Sequence, residues 1–200
     1  MMIEAFHKII ELRRSVRRFK PGFVDSEILM KLMDAARLGP SAANKQALLF
    51  IGVNDPSLAE KIFETQKYAA YLQGAGQPGL GEEPSAHILI TRNKDLAIAE
   101  TIRDVGAAAQ TILMGACAYG LGATWLRAFD RPEVARILDL PELYEPDSVI
   151  ALGVPNEAPQ VVNMKNEDVK YWRDETGKHF VPKRSFEDVC FLNGYNMKWD

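Results

Sequence analysis

Cysteine and histidine are scarce in this chain of 200 residues, with two of the first and three of the second. Cys117 and Cys190 form no CxxC, so they offer neither a redox pair nor half of a zinc site, and both are expected as free thiols. His7, His87 and His179 lie far apart with no HExxH spacing, which argues against a bound metal. His87 heads an apolar run and is expected as a hydrogen-bonded core histidine. No GxSxG elbow supports a hydrolase. Neither sign of charge is in excess: 24 Lys and Arg stand against 27 Asp and Glu, a net charge of −3. That leaves no electrostatic footprint for nucleic acid. Long apolar runs are missing too. The most hydrophobic stretch, residues 102–126, is broken by Arg103, Asp104, Gln110 and four glycines, so no membrane span is expected. Glu4, His7 and Lys8 stand where a signal peptide needs an unbroken apolar run, and a cytoplasmic protein is expected.

What is present is an ordinary globular composition, 47% hydrophobic and 26% charged. At roughly 150 residues per domain the length gives about 1.3 domains, hence one domain spanning 1–200. Ile3, Phe6 and Ile10 share one helical face over residues 2–12. Asp25 or Ser26 can cap a second helix, which Gly39-Pro40 stops. Leu48 to Val53 has strand length, and Asn54-Asp55-Pro56 starts a helix predicted to reach about Tyr71. Residues 73–85, rich in Gly and Pro, read as a loop forming a lid or pocket wall. Further strands are predicted at 86–91, 123–126 and 148–154, with a long helix over 98–119 and a short one opening at Pro132. Residues 155–200 lack sustained periodicity, yet Tyr171, Trp172, Phe180, Phe186 and Trp199 make them too apolar for a disordered tail. An arm packing against something, such as a second subunit, fits. Strands separated by helices indicate an α+β or mixed α/β layer fold.

Three segments carry chemical signals. Residues 74–79 match GxGxxG, but a helix-like segment precedes them and no helix follows, so the dinucleotide fingerprint fails on context. The neighbouring acids Glu82 and Glu83 read as solvated charge. Arg13-Arg14-Ser15-Val16-Arg17-Arg18 gathers four guanidinium groups and a hydroxyl at a helix end, suited either to a phosphate or simply to favourable cation placement at a helix C-terminus. Pro40-Ser41-Ala42-Ala43-Asn44-Lys45-Gln46 places a hydroxyl and two amides on a turn, suited to the edge of a planar heterocycle or to an ordinary polar turn.

Taken in order, these segments resemble the FMN-dependent nitroreductase family. Arg13-Arg14-Ser15-Val16-Arg17 is similar to its RRSxR, and residues 40–46 are similar to its PSxxNxQ. Residues 104–110 resemble its central helix, followed by Gly120-Leu121-Gly122-Ala123-Thr124-Trp125, and residues 150–155 resemble its last core strand. The resemblance implies an α+β nitroreductase-like fold, a central mixed β-sheet flanked by helices. It also implies an intertwined homodimer with FMN at the subunit interface and the 155–200 arm wrapping the partner. Arg13, Arg14 and Ser15 inherit the phosphate, and Arg17 the ribityl chain or the N1/O2 edge. Pro40, Ser41, Ala42, Asn44 and Gln46 reach the other subunit's cofactor. Leu126, Arg127 and Ala128 fall where backbone amides meet flavin N5, Gln73 falls near the pyrimidine edge, and Lys165 near the phosphate. NAD(P)H is the implied reductant, no side chain need act as acid or base, and the acceptor is a small molecule such as a nitroaromatic or quinone. Reductive dehalogenation, flavin destruction, azoline oxidation, and flavin binding without turnover stay open. Ala47-Leu48 and Arg127 depart from the family pattern, which has Pro-Trp and an acid there, and an altered pocket follows.

Overall fold

The computed structural model describes residues 2–72 and 75–197. Its elements are α1 (Met2–Leu12), β1 (Phe19–Lys20), α2 (Ser26–Arg37), β2 (Leu48–Val53), α3 (Pro56–Glu64), β3 (Ala86–Asn93), α4 (Thr101–Ala118), β4 (Gly122–Leu126), α5 (Arg131–Ile137), β5 (Tyr144–Pro155), β6 (Gln160–Asn163), β7 (Trp172–Arg173) and β8 (His179–Lys183). Three helices begin where an aspartate accepts a backbone N–H in the first turn: Asp25, Asp55 and Asp130. Such a cap contributes about 1 kcal/mol. Pro56 and Pro132 stand in the first turns they open, where a missing N–H costs nothing.

The main sheet runs β4-β5-β3-β2, with β1 on the far end of β5. Its ladders are antiparallel, and parallel pairing enters through a bridge between Ser15 and Ala123. The first six residues of β3 and eight consecutive residues of β5 are buried, because helices cover both faces. On one face α2 and α4 pack Leu32, Ile112 and Ala116 against Ile88, Ile90, Ile150 and Leu152. On the other, α3 and α5 pack Ile62 and Val134 against Leu89 and Val149. The β3–β5 register shifts after Ile90, so that Ile90 faces Ser148, Thr91 faces Pro146, and Asp147 is the extra residue. Bulges of this kind re-aim a side chain.

Most predicted elements stand within a few residues of their expected bounds, and two differ. α3 ends at Glu64 rather than near Tyr71: the Thr65 hydroxyl donates to the Ile62 carbonyl at 2.7 Å, and Gln66 then pairs with Phe129. The arm is not featureless, since β6 and β7 flank β8 in a second, three-stranded sheet. These strands of two to five residues are too short to show a period in sequence.

Residues 75–85 form turns and open no helix, in keeping with the failed GxGxxG context. Glu82 is not merely solvated: it lies 3.4 Å from Arg18, accepts from Asn156 at 3.1 Å and ties this loop to β1 and β5. Cys117 and Cys190 are free thiols. His87 is buried as expected, but neither ring nitrogen has a hydrogen-bond partner among the described residues, and burial lowers its pKa to about 3.

Candidate functional site

The arginine-rich segment leaves α1 and runs along the outer edge of β4. The Val16 N–H donates to the Ala123 carbonyl at 3.0 Å, which lays residues 13–17 beside that strand. Close approach depends on Gly122, where any Cβ would sit 2.7 Å from Val16 Cγ1. Arg13 and Arg14 border a cleft of about 200 Å3 shared with Leu121, Pro155 and Glu157. Arg14 donates to the Ile10 and Arg13 carbonyls and so closes the end of α1. The Arg13 guanidinium has no hydrogen-bond or ion-pair partner among the described residues, which leaves its fork available to an anion.

Arg17 is held from several sides. Its N–H donates to Glu157 Oε1 at 2.6 Å, and its guanidinium lies 5.1 Å from the centre of the Tyr171 ring. Burial lowers its pKa, with Tyr171 and Glu157 acting in the opposite direction. Its Nε is buried with no hydrogen-bond partner among the described residues. Glu157 also meets Arg173 at 2.6 Å and lies 3.8 Å from His179 Nδ1, and the Glu157 and Arg173 side chains are less than a tenth exposed. Tyr171 in turn packs edge-on against Tyr71 at 5.1 Å. The start of the arm is therefore tied to its own chain. None of Glu157, Tyr171, Arg173 and His179 was marked by sequence motifs; the aromatic content of the arm was the only signal.

At the far end of β4, Leu126 is buried with Tyr68 and Ala151, while Arg127 and Ala128 are exposed. The Ala128 carbonyl accepts from the Lys67 N–H at 2.9 Å. Tyr68, whose hydroxyl donates to Gln66 at 2.5 Å, packs with Leu126; burial raises its pKa, and the charge of Arg17 acts in the opposite direction. Thus Arg13, Arg14, Ser15, Arg17 and residues 126–128 line a single sheet edge.

The 40–46 turn is elsewhere. Ser41 and Gln46 join Leu48 and Phe50 beside β2, at the opposite edge of the sheet, three strand spacings or about 14 Å from β4. Asp104, buried in the first turn of α4, accepts the Ala42 N–H at 3.0 Å, and the Gln46 N–H donates to Ser41 Oγ at 3.2 Å. Ala43, Asn44 and Gln46 all have φ near +50°. Left-handed backbone costs roughly 1–2 kcal/mol per residue for a non-glycine side chain, and such strain collects at functional sites. One chain therefore does not bring this turn to the arginines. Lys165 is also apart: it lines a different cleft, with Val162, Trp172 and Pro182. Gln73 lies outside the described residues.

The donor set fits a phosphorylated flavin: a guanidinium unpartnered among the described residues, with a neighbouring hydroxyl, for the phosphate, and a half-buried arginine with an unpartnered Nε further along the same edge. No helix among the described residues is long and apolar enough to cross a membrane.

Comparison with known proteins agrees with this geometry. The model of the nitroreductase family matches residues 10–154. The chain is 34% identical over 164 residues to a Methanothermobacter thermautotrophicus protein provisionally named NADH dehydrogenase/NAD(P)H nitroreductase, covering 80% of this chain and 82% of that one. It is similar to a crystal structure from Parabacteroides distasonis with the same provisional name, at 25% identity and a TM-score of 0.66, covering 95% and 98%. The fold is shared with an FMN-dependent nitroreductase from Clostridium difficile R20291, at 21% identity and a TM-score of 0.64, covering 94% and 98%. A family model spanning most of the chain, together with a relative 34% identical over four-fifths of it, shows that this chain belongs to the nitroreductase family of oxidoreductases.

Proposed function

We propose that the chain is an FMN-dependent oxidoreductase that uses NADH or NADPH to reduce a small acceptor such as a nitroaromatic or quinone. When bound, FMN would supply the two-electron hydride chemistry that links the nicotinamide to the acceptor. The chain's own contribution is binding and electrostatics, with no side chain acting as acid or base. Arg13, Arg14 and Ser15 hold the phosphate, and Arg17 places positive charge toward the N1/O2 edge, which favours an anionic reduced ring. The backbone of Leu126, Arg127 and Ala128 meets the N5 edge.

The second half of the site comes from another copy. Pro40, Ser41, Ala42, Asn44 and Gln46 stand at the opposite edge of the sheet from their own arginines, and they serve the partner subunit's cofactor. α1 supports a homodimer: none of its residues is buried, and Ile3, Phe6 and Ile10 are 72%, 51% and 41% exposed on one face. The end of the arm, with Leu192, Tyr195 and Met197 exposed, is the part left to wrap the partner. Residues 1–200 then act as one FMN-binding domain completed by its twin.

The observation that carries this function is the unpartnered Arg13 guanidinium beside Arg14 and Ser15 at the β4 edge. Arg13→Ala should loosen FMN ten- to a hundredfold, or about 1.5–3 kcal/mol, read by flavin fluorescence on titration. Unchanged retention of FMN through gel filtration would remove Arg13 from the site. The absorbance spectrum of purified protein, taken anaerobically with each nucleotide, tests the whole assignment. Flavin bands that bleach support it; bands that neither nucleotide bleaches would mark a flavin-binding protein without turnover.

A further inference from the structure

The cleft between α3 and α5, about 820 Å3, differs in charge from the molecule around it. In a chain of net charge −3, five cations line it, Lys61, Lys67, Arg127, Arg131 and Arg136, against the acids Glu64, Asp130 and Glu133. Glu133 pairs with Arg136 at 2.5 Å, so those two charges offset each other, and Asp130 Oδ1 is engaged as the cap of α5, accepting the Glu133 N–H at 3.0 Å.

The remaining cations are set in place from behind. Asp147, the bulged residue of β5 and 1% exposed, lies 3.1 Å from Arg92 Nε and 3.7 Å from Arg127 Nε. The Asp147 carbonyl accepts from Arg131 at 3.3 Å, and the Arg127 carbonyl accepts from the same guanidinium at 3.0 Å. Stacking on Phe129 at 4.8 Å fixes Arg131 further. Lys67 is anchored by its backbone to Ala128, so its side chain leaves the chain beside the 127–128 segment. Neither Lys61 nor Lys67 has an ion-pair partner among the described residues.

We infer that this cleft binds the phosphate-bearing part of a substrate whose reacting end lies at residues 126–128. Arginine forks and lysine ammonium groups are the side chains that take phosphate or pyrophosphate, and the volume suits a nucleotide-sized ligand. The position of the reacting end rests on the proposed flavin function; the anion site rests on the cleft's own residues. Two molecules could bring this chemistry, the pyridine dinucleotide reductant or a phosphorylated acceptor.

Isothermal titration of inorganic pyrophosphate into the protein as purified is the test. Saturable binding is expected, weakened at least tenfold by Lys67→Glu, restored by Lys67→Arg, and falling as salt is added. Lys67 is exposed, so an unchanged melting curve will show that the variant folds. Absence of saturable binding, or binding that Lys67→Glu leaves intact, overturns the inference. Steady-state kinetics then identify the carrier. A tenfold rise in KM for NADPH, with none for the phosphate-free donor 1-benzyl-1,4-dihydronicotinamide, assigns the cleft to the reductant. An unchanged KM for NADPH alongside lost pyrophosphate binding assigns it to a phosphorylated acceptor. Protein that takes up no flavin yet binds pyrophosphate through Lys67 would sink the oxidoreductase function and leave the anion site standing; flavin-loaded protein with no pyrophosphate site does the reverse.

Discussion

His87 is held inside β3 with both ring nitrogens unpartnered among the described residues, and burial lowers its pKa to about 3 from the 6.5 of an exposed imidazole. Between those two values the unfolded chain carries a proton that the folded chain lacks, so stability is present above about pH 6.5 and drains away as the pH falls. Going from pH 7.5 to 5.5, His87 alone removes about 1.4 kcal/mol. His179, lowered to about 4 by burial and by the nearby arginines against the pull of Glu157, acts in the same sense. Urea midpoints at the two pH values measure the drop, and His87→Leu should reduce it; an undiminished drop would clear His87 of the effect. Sequence reading placed His87 in the core, since it heads an apolar run, but gave it a partner it lacks. Glu157 could not have been found that way at all. Its contacts, Arg17, Arg173 and His179, lie up to 140 residues away, and no local spacing rule reaches across that distance.

The elements that were legible are those whose signals are local. β2 and β3 are apolar runs bounded by turn residues, and α2, α3 and α5 announce themselves through Asp caps and prolines. β6, β7 and β8 were not, because each acquires its identity only from its neighbour. The site follows the same division: Arg13, Ser15 and the 40–46 turn stand in recognisable order, whereas the cationic cleft joins residues of α3, the 127–128 segment and α5. The docking of residues 13–17 on β4 depends on a feature no motif advertises, the absence of a side chain at Gly122. A Cβ there would lie within 3.1 Å of Val16 and Pro155. Gly122→Val should therefore cost about 1–3 kcal/mol by overpacking. It should also weaken FMN, because the displaced segment carries Arg13 and Ser15. Thermal denaturation and a flavin titration read the two effects, and full flavin affinity in a destabilised variant would show that the arginines do not need the β4 edge.

At the scale of the whole molecule, the amphipathic α1 has an apolar face that its own chain leaves open. Phe6→Asp should convert a dimer into a monomer by light scattering and strip flavin from the same preparation, since half of each proposed site belongs to the other copy. A monomeric wild type would end that scheme. α4 adds a geometric consequence. Its 18 residues form a rod about 27 Å long. Near its start Asp104 grips the 40–46 turn, and near its end Cys117 lies beside Ile9, Arg13 and Arg14. The rod thus sets both the distance and the angle between the two motifs. Inserting or deleting one residue within it would swing one motif by about 100° around the axis relative to the other. A change of length is accommodated in the loops and not within α4, which serves the protein as a ruler whose graduations cannot be moved.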